Sequence, residues 1–242
     1  VYLERIVEKT NALDPDLVVL TGDFIQHNPV NLHRVMSLLS DLVAPDGLWA
    51  TRGNHDHHAS REHFLRECRH AHIRLLENDH AVIHPTRHRL TRGKVPDHSE
   101  IHAPFVLAGI GDLWEGTCSP GAALSGANPQ YPTILLSHNP KAAELLLEGQ
   151  RVDLMLSGHT HGGQIRVMGR AFKTFTDGSL KYVSGLVEAP TTRVYISRGV
   201  GTSALRLRWN CRPEVALIRL VPEHPGREHP SVSKVETSLT HL

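Results

Sequence analysis

Hydrophobic positions change period repeatedly along this chain. Leu3, Ile6, Val7 and Leu13 recur at helical spacing and predict a helix over 1–13. Asp14-Pro15 ends it, because proline disfavours helical geometry in the residue before it. The apolar run Leu17 to Leu20 predicts a short buried strand that ends at Gly22-Asp23. A helix over 31–43 follows, then a strand over 48–52 ending in Gly53-Asn54-His55-Asp56. The pattern continues as a helix over 60–71 and strands near 73–76, 80–83 and 105–110. Residues 111–131, rich in Gly, Pro, Ser and Ala, read as a long loop carrying Trp114. Ile134 to Leu136 is a further strand ending at Ser137-His138, and Pro140 suits the first turn of a helix through about 149. Asp153 to Leu156 is a strand ending at Gly158-His159-Thr160-His161-Gly162-Gly163. Beyond Gln164 the pattern is mainly β, with strands near 164–168, 181–184, 193–197 and 214–220. The tail from Pro222 has little to bury and is expected to be disordered. The reading is therefore one domain over 1–221 and a tail over 222–242.

Alternating strands and helices over 242 residues fit one α/β domain. Four of the strands end, at their C-terminal side, in a metal-capable residue: Asp23, the Asn54-His55-Asp56 run, His138, and the His159/His161 pair. In open α/β sheets the carboxyl ends of the strands form the crevice where ligands bind, so these residues should converge. Glycines 22, 53 and 158 would allow the sharp turn that leaves each strand. Taken singly, Gly-Asp is an ordinary turn and His138 before Asn139-Pro140 a simple cap. Two imidazoles two residues apart in a glycine-rich turn are harder to explain by structure alone. One carboxylate, one amide oxygen and three imidazoles make a ligand set without thiolate, suited to Mn, Fe, Zn or Co. Asp23 has two oxygens and can bridge two ions; a pair about 3.5–4 Å apart clamps a phosphoryl group for in-line displacement.

Composition narrows the partners. Lys plus Arg (26) less Asp plus Glu (25) leaves +1, which argues against a nucleic-acid binder. Histidine is abundant, at 19. His70, His72, His80, His84, His88, His98 and His102 read as solvated surface. No apolar run approaches the roughly 18–20 residues of a membrane span. The opening VYLERIVEKT lacks the basic start and apolar stretch of a signal peptide. Cys68, Cys118 and Cys211 form no C-x-x-C and lie away from every motif in the sequence. Neither a G-x-S-x-G elbow nor a phosphate-binding G-x-x-x-x-G-K loop occurs. Gly109-Ile110-Gly111 begins a dinucleotide fingerprint, but Trp114 stands in the third glycine's place.

Gly22-Asp23, Gly53-Asn54-His55-Asp56, the lone His138 and Gly158-His159-Thr160-His161, in that order, resemble the calcineurin-like metallophosphoesterase superfamily. YISRGVG at 195–201 and RPEVALIRL at 212–220 resemble its bacterial branch of small, often membrane-associated phosphodiesterases. The resemblance implies a four-layer α/β/β/α sandwich with two divalent ions (Mn, Fe or Zn) at the sheet edge. Carried over, Asp23 bridges the metals, Asn54, His138 and His159 complete the second site, and His161 ligates the first. His55 sits beside the substrate phosphate, stabilising its charge or protonating the leaving oxygen, and Asp56 orients that imidazole. The nucleophile it implies is a metal-bridging hydroxide.

The family's opening Asp-x-His has no counterpart upstream of Asp23, and Asp56-His57-His58, which follows no strand of its own, is rejected as a replacement. The chain is accordingly expected to be N-terminally truncated and to lack the first strand. The expected activity is a phosphoesterase, most simply a phosphodiesterase, acting on a phosphorylated small-molecule or lipid-linked substrate. Asp112 and Trp114 are candidates to line the pocket. Localisation stays open between cytoplasmic and membrane-associated, with peripheral membrane association as one expectation. The alternative is a catalytically impaired member that keeps the fold for binding.

Overall fold

The computed structural model describes residues 2–86, 104–168, 170–171, 180–220 and 236–241. Two sheets carry the architecture. In the first, β1 (Val18–Leu20), β2 (Leu48–Ala50) and β3 (Ile73–Leu75) run parallel in that order. α1 (Tyr2–Ala12) precedes β1, and the two crossovers contain α2 (Asn31–Leu39) and α3 (Arg61–His70). The second sheet is built from β4 (Asp79–Ile83), β5 (Phe105–Gly109), β6 (Thr133–Leu136), β7 (Leu154–Ser157), β10 (Gly185–Glu188) and β11 (Arg193–Ile196). Its order is β10-β11-β7-β6-β5-β4, with β5, β6, β7 and β11 parallel and the two edge strands antiparallel to their neighbours.

Side chains on a strand alternate between the two faces of its sheet, and here that alternation sorts the core into layers. Val18, Leu48 and Ala50 face outward onto Val7, Leu32, Met36, Phe64 and Cys68 of α1, α2 and α3. Val19 and Trp49 face the other way, toward Leu107, Ile134, Leu136, Leu154, Leu156 and Tyr195 of the second sheet. That sheet's opposite face, Val106, Ala108, Leu135, Met155, Val194 and Ile196, is covered by Ala123, Ala142, Ala143 and Leu146. These come from α4 (Pro120–Ala123), a tight 3-10 turn at Pro140–Leu145 and Leu146, which caps that turn. The result is the expected four-layer α/β/β/α sandwich.

The differences from the sequence reading have local causes. The helix expected from Pro140 to about 149 is a 3-10 turn ending at Leu145, a tighter winding that brings Ala142 and Ala143 onto the sheet. The strand expected near 181–184 starts at Gly185. Tyr182 is buried in the outer core without joining the ladder, and the hairpin register is closed by Ala189 N–H on the Thr192 carbonyl. The 111–131 loop contains α4, capped by the Ser119 hydroxyl. Past Gln164, the short pair β8 (Arg166–Val167) and β9 (Arg170–Ala171) replaces one strand over 164–168. The tail is not wholly irregular: β13 (Glu236–His241) pairs antiparallel with β12 (Glu214–Arg219). The rest of the tail lies outside the described residues, as do His88, His98 and His102.

Candidate metal centre

Every motif residue sits just past the C-terminal end of a strand, along one seam between the sheets. Asp23 follows β1 with a left-handed backbone, φ 60°, as His159 (65°) and His161 (53°) do beyond β7. Such conformations are uncommon for residues with a side chain, and a cluster of them marks strain held by the surrounding fold. The glycines behave differently from the expectation of three turns. Only Gly22 needs its freedom for conformation, at φ 89°. Gly53 is extended, with φ −95°, and is glycine for space: a Cβ there would lie 2.3 Å from Asp23 Oδ1 and 2.8 Å from His138 Cε1. Gly158 likewise faces the Thr21 hydroxyl, 2.9 Å from where its Cβ would be.

Asp23 Oδ2 lies 3.2 Å from His138 Nε2, and His159 Nδ1 lies 3.0 Å from the same nitrogen. The other nitrogen of His138, Nδ1, meets the Thr21 carbonyl at 2.7 Å. A proton on Nδ1 satisfies that carbonyl and leaves Nε2 with its lone pair turned into the cluster. One donor atom from each of Asp23, His138 and His159 falls within 4.8 Å of the others. Burial pushes the Asp23 carboxyl up, but the hydrogen bond and charge of His138 outweigh it and hold Asp23 below its ordinary range. Burial would lower His138, and the Asp23 carboxylate reverses that and raises it.

The Asn54-His55-Asp56 run forms a 3-10 turn, Asn54–His58, with Gly53 as its cap. Asn54 Oδ1 is buried without a hydrogen-bond partner, the state of an atom that suits a cation. With the converging Asp23, His138 and His159, it makes an oxygen and imidazole donor set that fits a divalent ion. His55 donates its backbone N–H to Asp23 Oδ1 at 3.0 Å, while its Nδ1 is buried and has no hydrogen-bond partner. His161 lies on the turn beyond His159. Burial, and then the charge of Arg208, lower its imidazole to about 4, which keeps it neutral near pH 7 as a ligand must be.

Asp56 requires a correction. Its carboxylate does not orient His55. Oδ2 accepts the backbone N–H groups of Asp23 and Gly53, both at 2.8 Å, and Oδ1 accepts those of Phe24 (2.8 Å) and Ile25 (3.3 Å). Burial and the charge of Asp23 push its carboxyl up to about 7, against the pull of those amides. It ties the loop after β1 to the loop after β2.

Cys211 is also closer to the site than its sequence position suggests. Its thiol bonds the carbonyls of His161 (3.3 Å) and Gly162 (3.4 Å), and Arg208 Nη1 donates to the His161 carbonyl at 3.0 Å. Thr21, Arg208 and Cys211 escaped the sequence reading because all three act through a backbone oxygen or on one, and only folding brings 208–211 to the turn. Trp114 packs edge-on against His159, with ring centroids 4.4 Å apart, and Asp112 shapes its loop by accepting the Trp114 and Glu115 amides. Among the described residues no helix is long and apolar enough to cross a membrane.

Comparison with known proteins agrees with this geometry. The family model for calcineurin-like phosphoesterases matches residues 1–163. Phosphodiesterase YaeI of Escherichia coli is 38% identical over 213 residues, 86% of this chain and 71% of YaeI. The UDP-2,3-diacylglucosamine pyrophosphatase LpxG of Chlamydia muridarum is 28% identical over 264 residues, 92% of this chain and 79% of LpxG. Of some other relatives the chain spans little more than half the length. The crystal structure of calcineurin-like phosphoesterase YfkN from Bacillus subtilis shares the fold, with a TM-score of 0.55 at 13% identity, over 99% of this chain and 81% of YfkN. With the motifs gathered on one seam and the family model spanning them all, the chain belongs to the calcineurin-like phosphoesterases, hydrolases of phosphoric ester bonds.

Proposed function

We propose that this chain is a metal-dependent phosphodiesterase that holds two divalent ions, manganese, iron or zinc, among Asp23, Asn54, His138, His159 and His161. The observation that carries the reading is the approach of Asp23 Oδ2 and His159 Nδ1 to His138 Nε2, at 3.2 and 3.0 Å. A carboxylate and two imidazoles turned on one point are stable together when a cation lies between them. Ions bound there supply polarisation of the phosphoryl oxygens and activation of the attacking water.

The protein's own groups divide the remaining work. Asp23, Asn54, His138 and His159 would hold one ion. Asp23 and His161 would contribute to the other, whose remaining ligands in the family come from the Asp-x-His that has no counterpart upstream of Asp23. Thr21 fixes the His138 ring through its carbonyl, so that Nε2 is presented. His55, on the turn beside Asp23, meets the phosphate and stabilises its charge or protonates the leaving oxygen. Asp56 keeps Asp23 and His55 in register by holding both loops. YaeI's description as a phosphodiesterase supports the diester, and LpxG's supports a phosphorylated or lipid-linked substrate.

The test is hydrolysis of bis-p-nitrophenyl phosphate by the whole chain with added Mn²⁺, alongside bound-metal measurement. His159→Ala and Asn54→Ala should each cost roughly 100-fold or more in turnover, with far-UV circular dichroism unchanged. Variants as active as the parent protein would overturn the assignment.

A further inference from the structure

A second group of imidazoles stands beside the first. His55 and His58 lie three residues apart on the 3-10 turn Asn54–His58, which has three residues per turn, so the two rings stack on one face with centroids 6.1 Å apart. His27, from the loop after β1, approaches both rings edge-on, with centroids 5.0 Å from His55 and 5.2 Å from His58. One ring nitrogen from each of the three lies within 4.8 Å of the others. His27 and His58 are exposed and His55 is half-buried, so the cluster opens to solvent.

We propose that His27, His55 and His58 form a separate site for a borderline transition cation, Zn²⁺ in the first instance, and that filling it inhibits the enzyme. The distances favour coordination. Zinc takes nitrogen ligands at about 2.0–2.1 Å in a tetrahedron, which sets ligand nitrogens about 3.3 Å apart. His27 Nδ1 and His58 Nε2 are 3.3 Å apart. A hydrogen bond between those two rings accounts for one pair of atoms and leaves His55, whose Nδ1 bonds to nothing, unexplained. With the side chains closing on the ion, three imidazoles and an open, solvent-facing fourth position match zinc's tetrahedral preference.

The inhibition follows from shared use of His55 and rests on the reading that this imidazole meets the phosphate. A nitrogen lone pair committed to zinc neither carries a proton nor faces the substrate. The proposed reaction uses neither His27 nor His58, so they can be altered separately.

The experiment titrates Zn²⁺ into the Mn²⁺-loaded chain and its His27→Gln and His58→Gln variants, measuring both bound metals after dialysis and diester hydrolysis. The parent protein should take up about one Zn²⁺ without losing Mn²⁺, and slow down as it does. Each variant should bind that zinc at least tenfold more weakly, and need at least tenfold more for half-inhibition, with its zinc-free rate unchanged. Equal zinc uptake by all three proteins, or uptake only in exchange for Mn²⁺, overturns the site. Zinc bound with the rate unaltered overturns the inhibition. If no form hydrolyses the diester, the phosphodiesterase reading fails by itself, and the zinc count still decides the site.

Discussion

The carboxylate of Asp56 accepts the backbone N–H of Asp23 at 2.8 Å, so one buried acid sets the position of another 33 residues away in sequence. Asp56→Asn keeps the volume but turns an amide NH₂ toward two of the four N–H groups that the carboxylate accepts. Two buried donors lose their acceptor, and the expected cost is about 3 kcal/mol in urea unfolding. A change below about 0.5 kcal/mol would show that the loops hold without it.

Gly53→Ala tests close packing against conformation. Its methyl would fall on Asp23 Oδ1 and His138 Cε1, so Mn²⁺ affinity should drop at least tenfold while the helices stay folded. Gly201→Ala, where an added Cβ meets nothing within 4 Å, is the control and should bind as before. Isothermal titration of both variants separates the outcomes.

His161 should respond to Arg208. Its folded pKa of about 4 lies below the ordinary 6.5, so between those values the unfolded chain takes up a proton that the folded one refuses. This group therefore makes folding less favourable as pH falls from about 6.5 to about 4, and adds no further change below that. Burial is the larger cause, and Arg208→Gln removes the second, so the pKa should rise and the window narrow. A proton NMR titration of the His161 ring in the metal-free chain reads this directly; an unmoved midpoint refutes it.

Trp114 offers a reporter. Only 44% exposed and 4.4 Å from the His159 ring, it should lose fluorescence when paramagnetic Mn²⁺ reaches His159. Trp114→Phe should abolish most of that response and leave the signals of Trp49 and Trp209. Equal quenching in both proteins would place the ion elsewhere.

The sandwich was legible in the sequence because short apolar runs alternate with helical spacing, and a strand's period sorts residues such as Val18 and Val19 to opposite faces. The convergence of Asp23, His138 and His159 was legible from one rule, that ligands gather where strands end. Asp56 was found for its type and misread for its task, since the sequence says nothing of which N–H groups a carboxylate meets. The partnership of His27 and His58 with His55 was not legible, because it depends on a turn that brings 55 and 58 onto one face. The 3-10 winding after Pro140 escaped for a similar reason: helical spacing does not distinguish it from an α-helix over six residues.

Asp23 hangs from the three-stranded sheet, whereas His138 and His159 hang from β6 and β7 in the middle of the six-stranded one. An ion shared by them is thus a rivet through the seam between two layers that otherwise adhere there by apolar contact and the hydrogen bond between His138 and the Thr21 carbonyl. Unfolding must then strip the ion before the layers part, which adds about 2.7 kcal/mol when free metal is a hundred times its dissociation constant. Chelation should lower the melting temperature and let the first sheet's amides exchange with solvent ahead of those of β6 and β7. The centre would then serve as a mechanical joint as well as a chemical one.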